Sequence, residues 1–323
     1  MQSATLWRES ATIGTGVLSE TPLGGCATLC QNPHMATVQS PPPILRRRLG
    51  GLLRHYRRES GLTLVQAGNV LGWDNTRMSR IETGQYQIKA DEVSTLLTSY
   101  GLADAGTIAE VTRVLDSGLR AWWAAYADVL PQTYADSIAL ESEAVLIRAY
   151  HPQLIPALLQ TPAYAHAIIS SSPRAATQRT ATALVQVRQA RKEILTRPSG
   201  PTELRAVLDE SALYPQAGSA SDLMRDQLLS LLDMSERENI TLRVMPLNAP
   251  VHSGLTSNMT IMNFRPPWPA LVTVDHTRGG VFLEEPEDVT AFTEVFDAVY
   301  ETALPTDESR TVIKKHMKGT PHA

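Results

Sequence analysis

The hydrophobic pattern of the chain becomes regular at Leu45. From there, apolar residues recur at the i, i+4, i+7, i+8 and i+11 positions of one helical face, namely Leu45, Leu49, Leu52, Leu53 and Tyr56. Arginines lie between them, so the pattern predicts an amphipathic first helix with a basic face. Ser60 and Gly61 give its stop signal.

Shorter helices are predicted after this one. Thr63 is a good N-cap for a second helix that ends at Gly72, and Asp74 can cap a third. Further apolar repeats predict a fourth helix from about Ala90 and a fifth over about residues 105–115. The segment is therefore expected to fold as an all-α domain of five helices.

Beyond Gly118, longer helical segments come first and strand-like segments follow. The expected helices are one containing Trp122, Trp123 and Tyr126, then 138–150, 161–170, 175–195, 221–238 and 286–302. The expected strands are 203–208, 240–245, 258–264, 271–275 and 280–283. The connections after residue 240 leave no room for crossover helices, so we predict an α+β domain with a mainly antiparallel sheet.

These patterns divide the 323 residues into four segments. Residues 1–43 are rich in Ser, Thr, Gly and Pro and predict a disordered arm, in which Met35 is a candidate for the true start of translation. Residues 44–117 form the helical domain, 118–312 the α+β domain and 313–323 a tail. The whole is a multi-domain protein.

Composition excludes several classes of protein. With 43% hydrophobic and 19% charged residues, the chain is neither globally disordered nor fibrous. Its apolar runs are broken well before the roughly 18 residues of a membrane span. The two cysteines, Cys26 and Cys30, build neither a disulfide framework nor a zinc site. We expect a soluble, cytoplasmic protein without membrane contact.

Charge is distributed unevenly along the chain. The net charge is −4, but residues 44–90 carry nine Lys/Arg against three Asp/Glu, which is +6 and leaves −10 for the rest. The basic segment attracts phosphate, and the acidic C-terminal part repels it.

A helix, a turn and a basic second helix suit the major groove of DNA. A helix about 10 Å across fits a groove about 12 Å wide, and small residues such as Ala67 and Gly68 allow the two helices to pack closely. We interpret residues 74–82 as the recognition helix that binds double-stranded DNA. The base-reading residues would be Asn75, Thr76 and Arg77, and the supporting residues Arg80, Thr63, Gln66, Arg46, Arg54 and Arg57.

Some of these residues have a structural alternative. Arg54 and Arg57 could pair with Glu59 or Glu82 as readily as with phosphate. Glu82 itself fits a structural ion pair better than a groove contact, and Trp73 fits the core better than base stacking.

Local motifs add a resemblance to a known family. The motifs are Leu49-x-x-Leu-Leu-Arg54-x-x-Arg57, Gly61-Leu-Thr63, Leu71-Gly72-Trp73 and Ser79-Arg80-Ile81-Glu82-Thr83-Gly84. With them, residues 45–102 resemble the Cro/repressor-like (XRE-type) helix-turn-helix family, which implies a five-helix lambda-repressor-like fold. Leu64 stands where many members carry a Gln that touches phosphate.

In the α+β domain, Pro156 to Thr161 reads Pro-Ala-Leu-Leu-Gln-Thr. With this motif the domain resembles the C-terminal domain of an actinobacterial family of antitoxin-like regulators, in which the motif usually reads Pro-Gly-Leu-Leu-Gln-Thr. Ala157 thus occupies the glycine position, and His166 stands where an arginine is usual. The resemblance implies a DNA-binding regulator, frequently encoded beside a small companion protein.

No catalytic motif or metal motif is present in the α+β domain. The titratable residues that invite such a site are His151, His166, His252, His276, Asp209, Glu210, Asp275 and Glu284. They are scattered, without the spacing of a metalloprotease, a phosphate loop or a nucleophile elbow. We expect no enzyme, no cofactor and no metal.

Two roles remain open for this domain. A sensory pocket for a small-molecule effector could be lined by Trp122, Trp123, Tyr150, Gln160 and Tyr164. Alternatively, these aromatics form the core, and the domain dimerises or holds a small companion protein. A homodimer is expected either way, because helix-turn-helix proteins usually bind paired half-sites.

Overall fold

A helical N-terminal region and a mixed sheet covered by helices make up the described part of the chain. The computed structural model describes residues 43–119, 121–172, 177–198, 200–214, 221–256, 258–276 and 279–319. The expected disordered arm up to residue 42, with Met35, Cys26 and Cys30, lies outside these residues.

Five helices between residues 43 and 119 form the N-terminal region. They are α1 (Ile44–Glu59), α2 (Leu64–Asn69), α3 (Asn75–Glu82), α4 (Ala90–Ser99) and α5 (Ala105–Leu119). Their apolar faces meet in one core that includes Leu53, Met78, Ile81 and Leu96. The expected five-helix arrangement is confirmed. It was predictable because each helix has its own hydrophobic period and its own boundary signals.

Two neighbouring glycines of α1 differ in their surroundings. A Cβ added to Gly50 would lie 2.5 Å from the carbonyl oxygen of Ile81 and 2.6 Å from that of Glu82, whereas one added to Gly51 meets nothing within 4 Å. Gly50 is therefore what allows α1 to approach the end of α3.

This pair gives a matched stability test. We expect Gly50→Ala to lower the free energy of unfolding by about 1 to 3 kcal/mol, because the backbone of α3 must move. Gly51→Ala should instead raise it by up to about 1 kcal/mol through helix propensity. Urea unfolding followed by circular dichroism measures both, and equal effects would contradict the close approach.

The C-terminal region alternates helices and strands. The helices of the described residues are α6 (Gln132–Glu143), α7 (Pro162–Ser170), α8 (Gln178–Arg191), α9 (Ser221–Met234), α10 (Pro286–Thr302) and α11 (Thr306–Gly319). The strands are β1 (Leu146–His151), β2 (Glu203–Asp209), β3 (Ile240–Met245), β4 (Met259–Asn263), β5 (Leu271–His276) and β6 (Gly279–Leu283).

The six described strands form one mixed sheet in the order β3-β2-β1-β4-β5-β6. The pairs β1–β4, β4–β5 and β5–β6 are antiparallel, as expected for the short connections. The pairs β1–β2 and β2–β3 are parallel, and helices α7, α8 and α9 lie in their connections. The multi-domain fold class, all-α followed by α+β, is confirmed with this mixture in the sheet.

Three local expectations were wrong. The helix expected over 138–150 ends at Glu143, and Leu146–His151 is the central strand β1. Its two faces are both covered, so it lacks the polar alternation of a half-exposed strand. Trp122–Tyr126 forms only a short 3₁₀ helix. Much of the expected tail belongs to α11, whose Ile313 is fully buried.

The sheet separates two apolar layers. On one face Ile147, Leu204 and Met262 pack beneath α7, α9 and α11. On the other face Tyr150 and Ile261 pack against α10. The residues of each strand alternate between these layers, as the pleat requires.

Candidate DNA-binding surface and C-terminal cavity

Helix α3 is held so that its polar side faces solvent. The Asp74 carboxylate caps it by accepting a hydrogen bond of 2.7 Å from the Arg77 amide. Met78 and Ile81 are buried in the helical core. The residues predicted to read DNA, Asn75, Thr76, Arg77 and Arg80, are all exposed.

The two arginines of this surface are oriented by aromatic neighbours. The Arg77 guanidinium lies 4.1 Å from the Trp73 ring centroid, and its Nη2 is 3.2 Å from Glu92 Oε1. Arg80 donates a 3.3 Å hydrogen bond to the Tyr86 hydroxyl. Holding a long side chain in one direction lowers the entropy that it must lose on binding. Trp73 is half-buried against the core, so it also has its expected structural role.

Close contact between α2 and α3 depends on Gly68, as the small-residue argument predicts. A Cβ at this position would lie 2.6 Å from the Trp73 carbonyl oxygen. The Trp73 amide donates a 2.8 Å hydrogen bond to the Gly68 carbonyl, and Gly72 adopts a φ of 67° in the turn. The helix-turn-helix is therefore specified by backbone geometry that larger residues would disturb.

Thr63 and Gln66 form the capping box of α2. Gln66 Oε1 accepts a 2.8 Å hydrogen bond from the Thr63 amide, and the Thr63 hydroxyl accepts one of 3.3 Å from the Gln66 amide. Both residues are exposed. Their polar atoms already serve the helix, which gives them a structural role whether or not they touch DNA.

Arg57 is buried in an ion pair and is not presented to solvent. Its Nε and Nη2 donate hydrogen bonds of 2.6 and 3.0 Å to the two carboxylate oxygens of Glu82. The hydrogen bond to Glu82 raises the pKa of Arg57. Arg54 also pairs with Glu82, at 3.3 Å, while Arg46 is half-buried on α1. The structural alternative is thus the observed one for Arg57 and, in part, for Arg54.

A segment after α3 was missed by the sequence reasoning. Gln85, Tyr86 and Gln87 are exposed next to Arg80, and Tyr86 keeps 47% of its surface open. Gly84, with a φ of 75°, packs against the backbone of Arg47 and turns the chain here. An aromatic between two glutamines directly after the recognition helix was the available signal.

The C-terminal region contains a cavity of about 390 Å³ between the sheet and helices α6, α7 and α8. Of the five residues predicted for a sensory pocket, Gln160 lines it. Tyr150 and Tyr164 are buried in the two cores. Trp122 lines a separate cavity of about 180 Å³ and stacks edge-on with Trp123 at 5.7 Å. The structure therefore does not bring these five residues into one pocket, and Tyr150 and Tyr164 take the core positions that were the stated alternative.

A cluster of polar residues forms one part of the cavity wall. Arg191 and Glu141 are both buried and join through hydrogen bonds of 2.7 and 2.6 Å. Arg191 also donates to the Tyr134 hydroxyl at 2.8 Å, and Arg188 donates to Gln160 Oε1 at 2.8 Å. Burial would raise the pKa of Tyr134, but the two arginines outweigh it and lower that pKa.

Polar strand residues form another part of the wall. His151 Nε2 lies 3.2 Å from the Thr260 hydroxyl, and Asp275 lines the same cavity. Burial lowers the pKa of His151 despite the opposing charge of Asp275, which favours the neutral imidazole. The Thr273 hydroxyl is buried and has no hydrogen-bond partner among the described residues.

Helix α6 connects this cavity to the N-terminal helices. Asp136 accepts a 3.1 Å hydrogen bond from the Ile44 amide, which supplies α1 with the N-terminal cap that Pro43 cannot provide. Glu143 accepts a 2.6 Å hydrogen bond from Arg113 of α5. One helix thus contacts the cavity along one side and the helical domain along another.

Several of the scattered acidic residues have structural partners. Glu210 accepts a 2.9 Å hydrogen bond from the His316 ring, Asp209 accepts one of 2.8 Å from the Ser211 amide, and Glu284 lies 3.3 Å from Arg48. In the described part of the chain, no three His, Cys, Asp or Glu side chains are grouped to hold a metal.

Comparison with known families gives two matches. A model described as a helix-turn-helix domain matches residues 48–110, and one described as a domain of unknown function (DUF5753) matches residues 134–315. Comparison with curated proteins and with solved structures gives no match. Among the described residues, no helix is long and apolar enough to span a membrane.

Proposed function

Because the chain belongs to the DUF5753 family and carries a helix-turn-helix domain, we propose that it is a sequence-specific transcriptional regulator. Helix α3 enters the major groove, where Asn75, Thr76 and Arg77 read bases and Arg80 holds the backbone. The C-terminal domain dimerises the protein and senses an effector or a partner. The observation that carries the proposal is the exposed, aromatic-supported Arg77 on a capped helix.

Several features support finer parts of this proposal. The motifs from Leu49 to Gly84 support the further proposal that the helix-turn-helix domain is of the Cro/repressor-like (XRE) type. We propose no catalytic step and no cofactor; the structural contacts of Glu210, Asp209 and Glu284 support this part of the proposal. The protein acts in the cytoplasm, where its DNA is.

DNA binding is tested on the DNA upstream of the protein's own reading frame. We expect the double variant Asn75→Ala/Arg77→Ala to weaken binding by at least tenfold, since a good bidentate base contact contributes about 1 to 3 kcal/mol. Fluorescence anisotropy at several salt concentrations measures this, with scrambled DNA as the comparison. Arg179→Ala, an exposed residue of α8, is the matched control and should bind like the wild type.

Other results would redirect the proposal. Equal binding of both DNAs, with a steep salt dependence, would mean that only phosphates are recognised. No binding at moderate salt would favour the alternative, an antitoxin-like module that pairs with a small companion protein and only autoregulates through DNA. That alternative requires stable co-purification with the companion.

A further inference from the structure

The cavity between the sheet and helices α6 to α8 holds a cation whose charge the protein does not neutralise. Arg188 lines it, and no ion pair of Arg188 with Asp or Glu is found within the described ranges. Its Nη1 donates to the neutral Gln160, a further hydrogen bond joins it to the Tyr134 side chain, and its Nε is buried without a hydrogen-bond partner there. The neighbouring Arg191 differs, because Glu141 neutralises it at 2.6 Å. Burying a cation without a carboxylate partner raises the free energy of the folded protein, and a bound anion would offset that increase.

The rest of the wall is mainly apolar. The sheet contributes Ile147, Ala149 and Met262, and the facing side contributes Ile155 and Leu184. A volume of about 390 Å³ lies within the range of small-molecule sites. An occupant must therefore carry an apolar body as well as a charge.

A third feature also points to a ligand. Thr273 is 95% buried, lines the cavity, and its hydroxyl lacks a partner in the described structure. Buried polar groups in proteins are nearly always hydrogen-bonded, so an unpaired one inside a cavity suits a polar atom of an occupant.

We propose that this cavity binds an amphipathic small-molecule anion, with a carboxylate, sulfonate or phosphate on Arg188 and an apolar body on the β1–β4 surface. That the cavity serves as an effector site rests on the proposed function, whereas the binding of an anion to the cavity does not depend on it. Helix α6 carries the signal, because Tyr134 and Ser137 face the cavity while Asp136 caps α1.

Binding is tested without DNA, using two probes of nearly the same shape. 8-Anilinonaphthalene-1-sulfonate carries the anion, and N-phenyl-1-naphthylamine is its uncharged counterpart. We expect Arg188→Gln to raise the dissociation constant of the sulfonate about tenfold and to leave that of the neutral probe within twofold. Arg179→Gln, with the same charge change on the exposed side of α8, should alter neither.

Two further measurements keep the test decisive. Thermal unfolding first establishes that each variant is folded, since both probes also bind loosened cores. Ala149→Leu narrows the cavity and should weaken both probes. Failure of the sulfonate to bind the wild type, or equal binding to Arg188→Gln, would overturn the proposal.

The regulatory consequence has its own readout. Saturating sulfonate should change the affinity of wild-type protein for red-fluorophore-labelled upstream DNA at least threefold, and should not change that of Arg188→Gln. Probe binding with an unchanged DNA affinity would overturn the coupling through α6. If the wild type binds the sulfonate but no DNA, the proposed function is overturned and the proposed ligand site is still supported.

Discussion

Replacing Glu82 by glutamine is expected to lower the free energy of unfolding by about 3 to 5 kcal/mol, because it removes one charge from a buried ion pair. Glu82 is 4% exposed and receives two hydrogen bonds from Arg57. Without the carboxylate, Arg57 remains buried and uncompensated at the junction of α1 and α3. Urea unfolding followed by circular dichroism at 222 nm measures the change.

Two comparisons isolate the cause of this loss. Glu59→Gln is the matched control, since Glu59 is exposed and pairs with the exposed His55 at 3.4 Å; its effect should stay below about 0.5 kcal/mol. Arg57→Met/Glu82→Leu removes both charges and should recover much of the stability lost in Glu82→Gln. A double variant less stable than the single variant would contradict the buried-charge explanation.

Arg48→Ala is the second large expected effect, a loss of about 2 to 4 kcal/mol, the range for truncating a large buried side chain. Arg48 lies on α1 but is buried against the sheet domain. Its guanidinium is 4.4 Å from the Phe264 ring centroid, donates to the Pro269 carbonyl and lies 3.3 Å from Glu284. Burial lowers the pKa of Arg48 to about 10, so it is charged at neutral pH.

In Arg48→Ala, the helical domain and the sheet domain should also unfold at different temperatures. Differential scanning calorimetry is expected to resolve an earlier transition of the helical domain. We expect the wild type to unfold in one transition, and Arg48→Lys should not restore that behaviour, because an ammonium lacks the planar stacking group. Arg46→Ala, two positions earlier and half-buried, is the control and should unfold like the wild type. An unchanged profile for Arg48→Ala would show that this contact does not join the domains.

Much of the helical domain could be predicted because its signals are local. Thr63 and Asp74 cap the helices they were expected to cap, and the pairing of Glu82 with arginine was one of the stated alternatives. Tyr86 was missed because exposure of a loop aromatic depends on how α3 and α4 pack.

The C-terminal cavity was not predictable in the same way. Its aromatic candidates Tyr150 and Tyr164 are core residues, while Arg188 and Thr273 line it from elements far apart in the chain. Residue type indicates that a side chain suits a pocket; the register of the strands decides which face it occupies. Strand β1 was mistaken for helix for a similar reason: both of its faces are covered, so its sequence lacks the alternation of polar and apolar residues that identifies a half-exposed strand.

Local sequence was sufficient to predict the five N-terminal helices, the caps Thr63 and Asp74 and the basic surface of α3, because those features depend on residues within about one helical turn of each other. Tertiary structure alone decided the parallel half of the sheet, the burial of Arg48 and the capping of α1 by Asp136, 92 residues from Ile44. These contacts join segments whose own patterns carry no information about their partner, so only the packed chain specifies them.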